Sequence, residues 1–571
     1  MSAAPEVSVV VAAYNAGDLV TRCVESVERQ TLGTAALECI VVDDGSTDGT
    51  GTELDGLAAT RPWLRVVHQD NSGGPAGPRN TGLDLVSGRY VFFLDADDWL
   101  GEQALERMLA MATEHGSDIV LGKMVGAGGR TVPKSMFGRD QPDAPLFESR
   151  VYWALNPLKL FRKQFLQEHG LRFRTDLPVG QDQPFVAMAY LRAKRISVVG
   201  GYDCYYADLR ADGKNNTRRP GGARRRLPFL RAMFELVPAE VPEGPDRDLL
   251  LRRHFQSEQR EFLEHLGLEE DPEVRAEAFA VFQGFVREWC AEGVLQGLPA
   301  NDRFRLELIR LGKVDEAIRA MRFKLDEEPW ETTVENGRVF ACYPGFRDPD
   351  VGVPDDFFDV TDELVLGHYL AEAKWSGAAL KLAGTVRPDR CPPSPGARTT
   401  LLVRERGGGT EYRLPCVPVD AAGRRNPEWN ARQCDEAVGF EVALPPIEVI
   451  LRSGPDLGVW DLYLELEDRG VSWRTRLGSR RAPGTDVGED VRTLVRFGRR
   501  TSRARKVTSY FVGPRSGLSL RVKRAPMRLG TFLKHFAWPT GGQHDAHLAL
   551  VPFRREKPAP SRTRGTARGR G

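Results

Sequence analysis

The stretch VFFLDADDW, residues 91–99, constrains the fold of this chain more than any other part of the sequence. Its apolar start indicates a strand that is buried on both faces of a sheet. The carboxylates of Asp95, Asp97 and Asp98 then fall at the C-terminal end of this strand, where open α/β sheets bind their ligands. Three unpaired, partly desolvated carboxylates would repel one another. A bound Mg²⁺ or Mn²⁺ would remove that repulsion, because both ions favour oxygen ligands.

An ordinary polar turn, in which Asp98 caps the next helix, is the alternative interpretation of this stretch. The surrounding chain argues against it, because a second buried strand also ends in carboxylates, at Asp43 and Asp44. Strand and helix patterns alternate in this region, with strands beginning at Val7, Leu37 and Leu64 and helices over 18–29, 50–59 and 79–86. Such alternation predicts right-handed crossovers and a mostly parallel α/β sheet.

The pattern after Trp99 predicts further elements of the same domain. A helix is expected over 102–114 and a strand over 117–122. Residues 124–147 are interrupted by Gly and Pro, which indicates a long loop. Another helix is expected to begin within 156–162 and to end near 169–170.

Composition excludes several classes of protein. The 571 residues imply several domains, and 41% hydrophobic with 28% charged residues is typical of a soluble globular chain. No run of about 18 apolar residues occurs, so no transmembrane helix is expected. The first residues lack a secretory signal pattern, and a cytoplasmic location is therefore expected. Eight scattered cysteines without a Cys-x-x-Cys pair favour free thiols over disulfides or a zinc site.

The net charge of +1 is distributed unevenly along the chain. Residues 491–571 contain 20 Lys or Arg and two Asp or Glu, a net charge of +18, and residues 1–490 therefore carry −17. Such a basic segment predicts a polyanionic partner: an anionic membrane surface, an anionic polymer or nucleic acid. No specific nucleic-acid site is expected, because few aromatic residues lie among the charges. A solvated tail that only aids solubility is the alternative.

Changes of pattern divide the chain into four predicted segments. Helical, highly charged sequence follows the α/β region, and a period of two with Gly, Pro and Asp turns follows the helical part. We therefore predict an α/β domain at 1–223, a helical connector at 224–330, an antiparallel β-sandwich at 331–490 and a basic tail at 491–571. Part of the tail keeps the alternation and is expected to add strands to the sandwich, whereas its end is expected to be disordered.

Residues 7–99 resemble the nucleotide-sugar half of family 2 inverting glycosyltransferases of the GT-A fold. The matching motifs stand in the order and at the intervals of the family: SVVVAAYN from Ser8, VVDDGSTD from Val41, RNTG from Arg79 and DADD from Asp95. The family often has Pro at the position of Ala12, which meets the nucleotide mainly through backbone and therefore tolerates the exchange. The predicted β-sandwich is similar in pattern to accessory sandwiches of some teichoic-acid glycosyltransferases.

This resemblance implies a nucleotide-diphosphate sugar donor, with UDP as the expected nucleotide. It implies that Asp43 accepts the N3–H of uracil and that Asp44 holds the ribose or the loop, with a cap of the following turn as the alternative for Asp44. Tyr14 is placed beside the base, although a core tyrosine is the more ordinary role. Arg79 is expected to pair with the metal carboxylates and a phosphate. A solvated helix arginine is the alternative.

The resemblance also implies the diphosphate and metal contacts. Asp95 and the adjacent Ala96 are expected near the ribose, with metal contact as a second role for Asp95. Asp97 is the expected metal ligand, and the metal would offset charge on the departing nucleoside diphosphate. A loop over the diphosphate is implied, in which Arg210, Lys214 or Thr217 makes the contact, and a mobile surface loop is the alternative.

Residues 179–186, VGQDQPFV, resemble the Gly-Glu-Asp segment that precedes a helix in the family, with Gln181 in place of Glu. The resemblance implies that Asp182 is the catalytic base, which takes the proton of the acceptor hydroxyl as that hydroxyl attacks the anomeric carbon. Such a displacement inverts the anomeric centre. A helix N-cap is the alternative role for Asp182. Gln181 cannot ionise, so it cannot supply any charge that the family's Glu provides.

We therefore predict a metal-dependent inverting glycosyltransferase of hexosyl- or N-acetylhexosaminyl-type. The acceptor, by family analogy alone, is a cell-surface polymer, glycan or lipid-linked precursor made on the cytoplasmic side, with residues 124–147 facing it. The β-sandwich is expected to serve homo-oligomerisation, acceptor binding or spacing.

Two other classes of protein are alternatives. A nucleotidyltransferase would hold its triphosphate on a basic Gly-rich loop after the first strand, and residues 13–17 contain no basic side chain. A non-catalytic scaffold or adhesion protein would use the sandwich as its working part. It would not need Asp95, Asp97 and Asp182 together.

Overall fold

The structure is a computed structural model of the full chain. It describes residues 4–209, 222–323, 330–377, 379–421, 423–424, 426–445, 458–483, 485, 491–497, 502–511, 517–524 and 548–550. The chain divides into two compact units, one formed by 1–327 with 347–353 and the other by 328–346 with 354–571. The four-segment division proposed from the sequence stays a prediction.

An eight-stranded sheet forms the centre of the first unit. Its strands are β1 Val7–Ala13, β2 Leu37–Asp43, β3 Leu64–His68, β4 Tyr90–Asp95, β5 Trp99–Leu100, β6 Ile119–Gly126, β7 Lys159–Arg162 and β8 Ile196–Ala207. The helices of this region are α1 Leu19–Glu28, α2 Thr50–Ala58, α3 Ala76–Leu85, α4 Ala104–His115, α5 Lys163–Glu168 and α6 Asp182–Arg192. The predicted alternation of strand and helix up to β4 is confirmed.

The strand order in this sheet is β3-β2-β1-β4-β7-β6-β8-β5. The first four strands are parallel, with Ala13 opposite Asp43 and Ala12 opposite Asp95. Their carboxyl ends therefore meet at one edge, which brings the two acidic motifs of the sequence together. Strand β4 is buried on both faces, as its apolar run predicted.

The predicted helix from 156–162 to 169–170 is wrong in its first half. Residues Lys159–Arg162 form β7, which pairs antiparallel with both β4 and β6, and only Lys163–Glu168 is helical. Two flanking strands offer hydrogen bonds to both edges of this short segment. Tertiary pairing therefore outweighed the local pattern. The loop predicted for 124–147 is irregular in the structure once β6 ends at Gly126.

In the described part of the first unit, six helices follow the sheet. They are α7 Gly222–Glu240, α8 Pro245–Leu266, α9 Pro272–Trp289, α10 Glu292–Gln296, α11 Ala300–Leu311 and α12 Val314–Arg322. Phenylalanines at helical spacing form their core, and the rings of Phe262 and Phe282 stack with centroids 4.5 Å apart. These phenylalanines are therefore core residues. The predicted helical character of this segment is confirmed.

The second unit consists mainly of antiparallel strands. They are β9 Thr332–Glu335, β10 Arg338–Ala341, β11 Leu366–Ser376, β12 Ala379–Pro388, β13 Arg398–Glu405, β14 Glu411–Pro415, β15 Val417–Val419, β16 Val438–Leu444, β17 Gly458–Asp468, β18 Val471–Arg476, β19 Val491–Phe497, β20 Ser502–Phe511, β21 Leu518–Arg524 and β22 Leu548–Leu550, with one short helix, α13 Ala431–Asp435. Two larger sheets contain β11-β12-β16-β15 and β14-β13-β17-β21-β20-β19-β22, with β18 beside β17. The predicted antiparallel sheets are confirmed.

Part of the basic segment belongs to these sheets. Strand β21 pairs with β17, and β20 pairs with β21. The prediction that the tail adds strands is therefore confirmed, and its final residues, 551–571, lie outside the described residues. The eight cysteines all lie within the described residues and form no disulfide, as their scattered positions predicted. Within the described ranges, no helix has the length and hydropathy that crossing a membrane requires.

Candidate active site

Arg79 joins two carboxylates that are far apart in the sequence. Its Nη2 donates a hydrogen bond to Asp95 Oδ1 at 2.8 Å, and its Nη1 donates to Asp182 Oδ1. Asp95 ends β4 and Asp182 begins α6, so the guanidinium connects the sheet edge to the helix. The Arg79 side chain is only 4% exposed, which excludes the solvated helix arginine. Burial lowers the pKa of Arg79, but Asp182 and Asp95 outweigh burial and raise it.

Aromatic packing holds α6 against β4. The ring of Phe185, in the first turn of α6, lies edge-to-face with Phe93 of β4, with centroids 5.8 Å apart. Phe173 stacks on Phe185 at 4.0 Å. Such aromatic pairs contribute about 0.5–1.5 kcal/mol beyond their buried area. The core thereby fixes the N-terminus of α6, and with it Asp182, at the carboxyl edge of the sheet.

Asp182 is the first residue of α6 and does not cap it. The N-cap position belongs to Gln181, which makes no side-chain capping bond there. The Asp182 side chain is 33% exposed, so a substrate can reach its carboxylate. Removal from water raises the pKa of Asp182, Arg79 opposes this rise and the charge of Asp95 adds to it. A carboxylate with a raised pKa is better matched to general-base work near neutral pH.

Asp43 is buried at the end of β2, with 4% of its surface exposed. His68 Nδ1, on the neighbouring strand β3, lies 2.9 Å from Asp43 Oδ2, and the Ser46 amide donates to Oδ1 at 3.1 Å. His68 Nε2 lies 3.1 Å from Asp55, and its hydrogen bonds to Asp43 and then to Asp55 raise the pKa of His68. A carboxylate has about four acceptor sites, so Asp43 can still accept a further N–H. His68 belongs to none of the sequence motifs. Only its position at the end of a neighbouring strand could have indicated that it contacts Asp43.

Asp44 holds a loop in the structure. Its carboxylate accepts hydrogen bonds from Gln69 Nε2 at 2.6 Å, from the Ser72 amide at 3.1 Å and from Ser72 Oγ at 3.0 Å. These contacts support the expected role of Asp44 in holding the loop. They do not support the alternative role, a cap of the turn that follows Asp44. Tyr14 is 42% exposed, so it is not a core tyrosine and its ring faces solvent at the sheet edge.

The remaining expected donor contacts fall partly outside the described residues. Ala12 lies opposite Asp95 in the sheet, and the buried Ala96 follows Asp95 directly. Both therefore belong to the same edge as Arg79. Arg210, Lys214 and Thr217 of the expected diphosphate loop lie outside the described residues.

Asp98 is a buried anchor and not a helix cap. The Tyr205 hydroxyl donates to Asp98 Oδ2 at 2.6 Å, and the Asp208 amide donates to Oδ1 at 2.8 Å. Desolvation, followed by the charges of Asp95 and Asp97, raises the pKa of Asp98 to about 7. Burial is thus the main cause of this rise, and the negative charge at the strand end adds to it.

The remaining carboxylates of the cluster fit a divalent cation that is shared with a substrate. Asp95 and Asp97 are both half-buried at the sheet edge. In the described part of the chain, no three His, Cys, Asp or Glu side chains are grouped so that they alone could hold a metal ion. Magnesium is usually bound by one or two carboxylates together with substrate phosphates. The donor set therefore suits a cation completed by a diphosphate.

Lys159 is a buried cation that the sequence analysis missed. Its side chain is almost completely buried in β7, and Nζ donates to Asn156 Oδ1 at 3.0 Å and to the Asn156 carbonyl. Nζ also lies 5.8 Å from the centroid of the Tyr190 ring on α6. Burial lowers the pKa of Lys159 to about 7, and the charge of Asp182 opposes this shift. The wrong helix prediction for this segment concealed it, because a lysine at a helix start is normally exposed.

Three family models match successive parts of the chain. The glycosyl transferase family 2 model covers residues 8–176, the glycosyl transferase TarS linker domain covers 227–321, and the TarS beta-glycosyltransferase C-terminal domain 1 covers 359–522. The family 2 match contains the motifs with Asp43, Arg79 and Asp95.

Curated relatives extend this similarity over most of the chain. The chain is 30% identical to the poly(ribitol-phosphate) beta-glucosyltransferase of Bacillus spizizenii over 488 residues, which cover 84% of this chain and 73% of the relative. It is 34% identical to the poly(ribitol-phosphate) beta-N-acetylglucosaminyltransferase TarS of Staphylococcus aureus over 272 residues, 47% of each chain.

Solved structures show the same arrangement of elements. The crystal structure of S. aureus TarS 1-349 in complex with UDP-GlcNAc matches with a TM-score of 0.53 and 28% identity, over 61% of this chain and 98% of that one. The crystal structure of S. aureus TarS matches with a TM-score of 0.58 over 92% of this chain and 86% of that one, and at 23% identity it supports the fold alone. Together with the sheet edge that gathers Asp95, Arg79 and Asp182, these similarities show that the chain belongs to glycosyltransferase family 2 and to its group with TarS-type linker and C-terminal domains.

Proposed function

We propose that this glycosyltransferase transfers glucose or N-acetylglucosamine from a UDP-sugar to a poly(ribitol-phosphate) teichoic-acid polymer. The observation that carries the proposal is the bridge of Arg79 between Asp95, at the end of a sheet strand, and Asp182, at the start of α6. The bridge supports a base at this strand end, because open α/β sheets bind their ligands there. The choice of polymer and sugars is supported by similarity to the poly(ribitol-phosphate) glycosyltransferases of B. spizizenii and S. aureus.

Asp182 acts as the general base in this proposal. Its carboxylate takes the proton from a polymer hydroxyl while the hydroxyl oxygen attacks the anomeric carbon of the donor sugar. The bond from that carbon to the diphosphate breaks, and the nucleoside diphosphate leaves with the electron pair. Attack from the opposite face inverts the anomeric centre, so an α-linked donor gives a β-linked product. Arg79 holds Asp182 in place and balances its charge.

The donor half of the site lies along the ends of β1, β2 and β4. Asp43 accepts the uracil N3–H, Tyr14 covers the base, and Ala12 meets the nucleotide through its backbone. Asp44 supports the site indirectly by holding the 69–72 loop. The support for uridine is the acidic group at Asp43 together with the UDP-GlcNAc complex of the S. aureus relative.

Asp97, with Asp95 as a second ligand, would hold a Mg²⁺ or Mn²⁺ ion together with diphosphate oxygens. Such an ion supplies positive charge against the charge that develops on the departing diphosphate. Arg210 and Thr217, which the resemblance predicts to lie near the diphosphate, are proposed to contact the same diphosphate.

The acceptor side is proposed to include the irregular segment 124–147. Within the first unit, an open cavity of about 710 Å³ is lined by Thr131, Val132, Pro133, Ser135, Arg150, Trp153, Leu249, Arg252, Gln256, Gly297 and Pro299. Its lining contains two arginines and no acidic residue, a composition that suits a chain of phosphodiesters. Arg150→Ala should therefore raise KM for the polymer and leave affinity for UDP unchanged.

A cytoplasmic location beside the membrane is the last element of the proposal. A polymer made on a lipid carrier is available there, and the basic segment 491–571 supplies charge for an anionic surface. Because several strands of this segment belong to a sheet, removal of 551–571 is the appropriate test. The full chain should sediment with anionic vesicles at low salt and the shortened chain should sediment less, and equal sedimentation of both would contradict the membrane contact.

A donor panel tests the reaction itself. The full chain is incubated with UDP-glucose, UDP-N-acetylglucosamine and GDP-mannose, each with Mn²⁺ and poly(ribitol-phosphate), and sugar incorporation into the polymer is measured. We expect transfer from a UDP-sugar and a β anomeric signal in the product. Transfer from GDP-mannose alone, or an α product, would contradict the proposal.

A further inference from the structure

Two glutamines flank Asp182 and connect it to different parts of the first unit. On one side, Gln181 Oε1 accepts from the Ala76 amide at 2.9 Å, at the start of the helix that carries Arg79. On the other side, Gln183 Oε1 accepts from Arg253 Nη1 at 2.6 Å. Arg253 lies on α8, far beyond the sheet in sequence. The candidate base is therefore held from both neighbouring residues.

The contact between Gln183 and Arg253 is part of a buried network. Gln183 Nε2 donates to Glu258 Oε1 at 3.4 Å, and Arg226 Nη2 donates to the other oxygen of Glu258 at 2.7 Å. Arg253, Glu258 and Arg226 are each less than a tenth exposed. Buried groups in such a network can rotate only at the cost of leaving a partner unsatisfied. The orientation of Gln183 is therefore set by its two direct partners on α8, Arg253 and Glu258.

Arg253 has a further side-chain partner in His254. Arg253 Nη1 lies 3.2 Å from His254 Nδ1, and His254 Nε2 lies 2.9 Å from the Tyr152 hydroxyl. Burial, with the neighbouring charge of Arg253, lowers the pKa of His254, so the imidazole is neutral. Nδ1 then accepts from Arg253, and Nε2–H donates to Tyr152. This chain of contacts ties Arg253 to the segment that leads into β7.

From this geometry we propose that Arg253 is a positioning residue for Asp182, acting through Gln183, so that the helical segment after the sheet sets the orientation of the base. The inference rests on the proposed role of Asp182. Small displacements of a catalytic group are costly, and about 1 Å can lower a rate by roughly 10²-fold. An arginine that touches no substrate can therefore control kcat.

Four variants of the full chain test this inference. Arg253→Met removes the donor to Gln183, and Gln183→Met removes the acceptor while Arg253 keeps Glu258 and His254. Each should lower kcat for sugar transfer roughly 10- to 100-fold, with little change in KM for the UDP-sugar. The double variant should be no slower than the slower single variant, because both act through one contact. Arg253→Lys keeps one donor and should recover part of the rate.

Arg226→Met is the matched control. It breaks the same network at Glu258 but makes no contact with Gln183. It should lower the midpoint of thermal unfolding and leave kcat unchanged at a temperature well below that midpoint. If Arg226→Met reduces kcat as much as Arg253→Met, or if the effects of Arg253→Met and Gln183→Met simply multiply, the positioning role is wrong. Should Arg253→Met fail to fold, Gln183→Met decides alone, and an unchanged kcat would overturn the inference.

A failure of this inference can be distinguished from a failure of the proposed function. Asp182→Asn reports on the base itself, and a normal rate for that variant would overturn the base assignment together with this inference. A severe loss for Asp182→Asn with normal rates for Arg253→Met and Gln183→Met would overturn the positioning role alone.

Discussion

Arg79 Nη2 lies 2.8 Å from Asp95 Oδ1, while the other arm of the same guanidinium reaches Asp182. A single buried cation therefore serves two carboxylates that come from the strand end and from the helix start. Its planar fork suits this task, because it can present separate N–H groups to separate acceptors.

Arg79→Met should reduce both stability and activity. A charged hydrogen bond is worth about 1.5–3 kcal/mol, and we expect a loss in this range because Asp95 and Asp182 stay 29% and 33% exposed. Arg79 also lowers the pKa of Asp182, so its removal should move the acid limb of kcat/KM to higher pH. Urea denaturation and a pH–rate profile measure the two effects. An unshifted acid limb would show that Arg79 does not affect the pKa of the catalytic base.

Asp182→Asn should preserve donor binding and abolish most transfer. Asparagine keeps the size of the side chain and can still accept from Arg79, but it cannot take a proton. The rate should fall by roughly 10²–10⁴-fold, the usual scale for a lost general base. Calorimetry with UDP and a polymer transfer assay give the two quantities. Asp176→Asn, an exposed aspartate that precedes α6, is the control and should behave as the wild type.

Asp43→Ala should weaken UDP binding more than it lowers kcat. The variant loses the proposed acceptor for uracil N3–H and leaves His68 without its nearest carboxylate. His68→Gln is a useful comparison, since it leaves the Asp43 carboxylate in place. Calorimetric titration with UDP and GDP measures the specificity. If the wild type binds UDP and GDP with equal affinity, Asp43 does not recognise uracil specifically.

Asp97→Asn should make the enzyme depend on a much higher concentration of divalent cation. The variant removes one charged oxygen ligand from a site that protein side chains only partly complete. Activity is measured against Mn²⁺ concentration after treatment with a chelator. A wild-type response of Asp97→Asn, or full activity of both proteins in the chelator, would exclude the metal role. Asp176→Asn, which changes an exposed aspartate outside the carboxylate cluster, again serves as the control.

Lys159 should give the protein a stability that increases with pH. Its pKa is about 7 when folded against 10.5 as a free lysine, so between these values the unfolded chain binds one more proton. Stability then rises with pH across this window, by at most about 1.4 kcal/mol per pH unit. Lys159→Met should lose that rise, and Lys134→Met, which changes an exposed lysine, should keep it. Urea denaturation at pH 7, 8 and 9 measures the difference, and a constant difference between the wild type and Lys159→Met would contradict burial of the charge.

Local patterns of the sequence determined the first half of the catalytic domain. Apolar runs followed by carboxylates fixed β2 and β4, and parallel strands necessarily bring Asp43 and Asp95 to one edge. The resemblance of four short motifs then predicted that Arg79 pairs with a carboxylate of this edge, and Arg79 does contact Asp95. These features depend on residues that are close in sequence or on a general property of α/β sheets, so no tertiary information was needed.

Only the tertiary structure decided which partner each group has. Asp182 could cap its helix as far as the sequence shows, and the aromatic packing of Phe185 on Phe93 instead brings its carboxylate to Arg79. The segment Lys159–Arg162 became a strand because β4 and β6 stand on either side of it. Arg253 reaches Gln183 across some seventy residues of chain. Such contacts arise from long-range packing, whose free energy depends on elements that no local window of sequence contains.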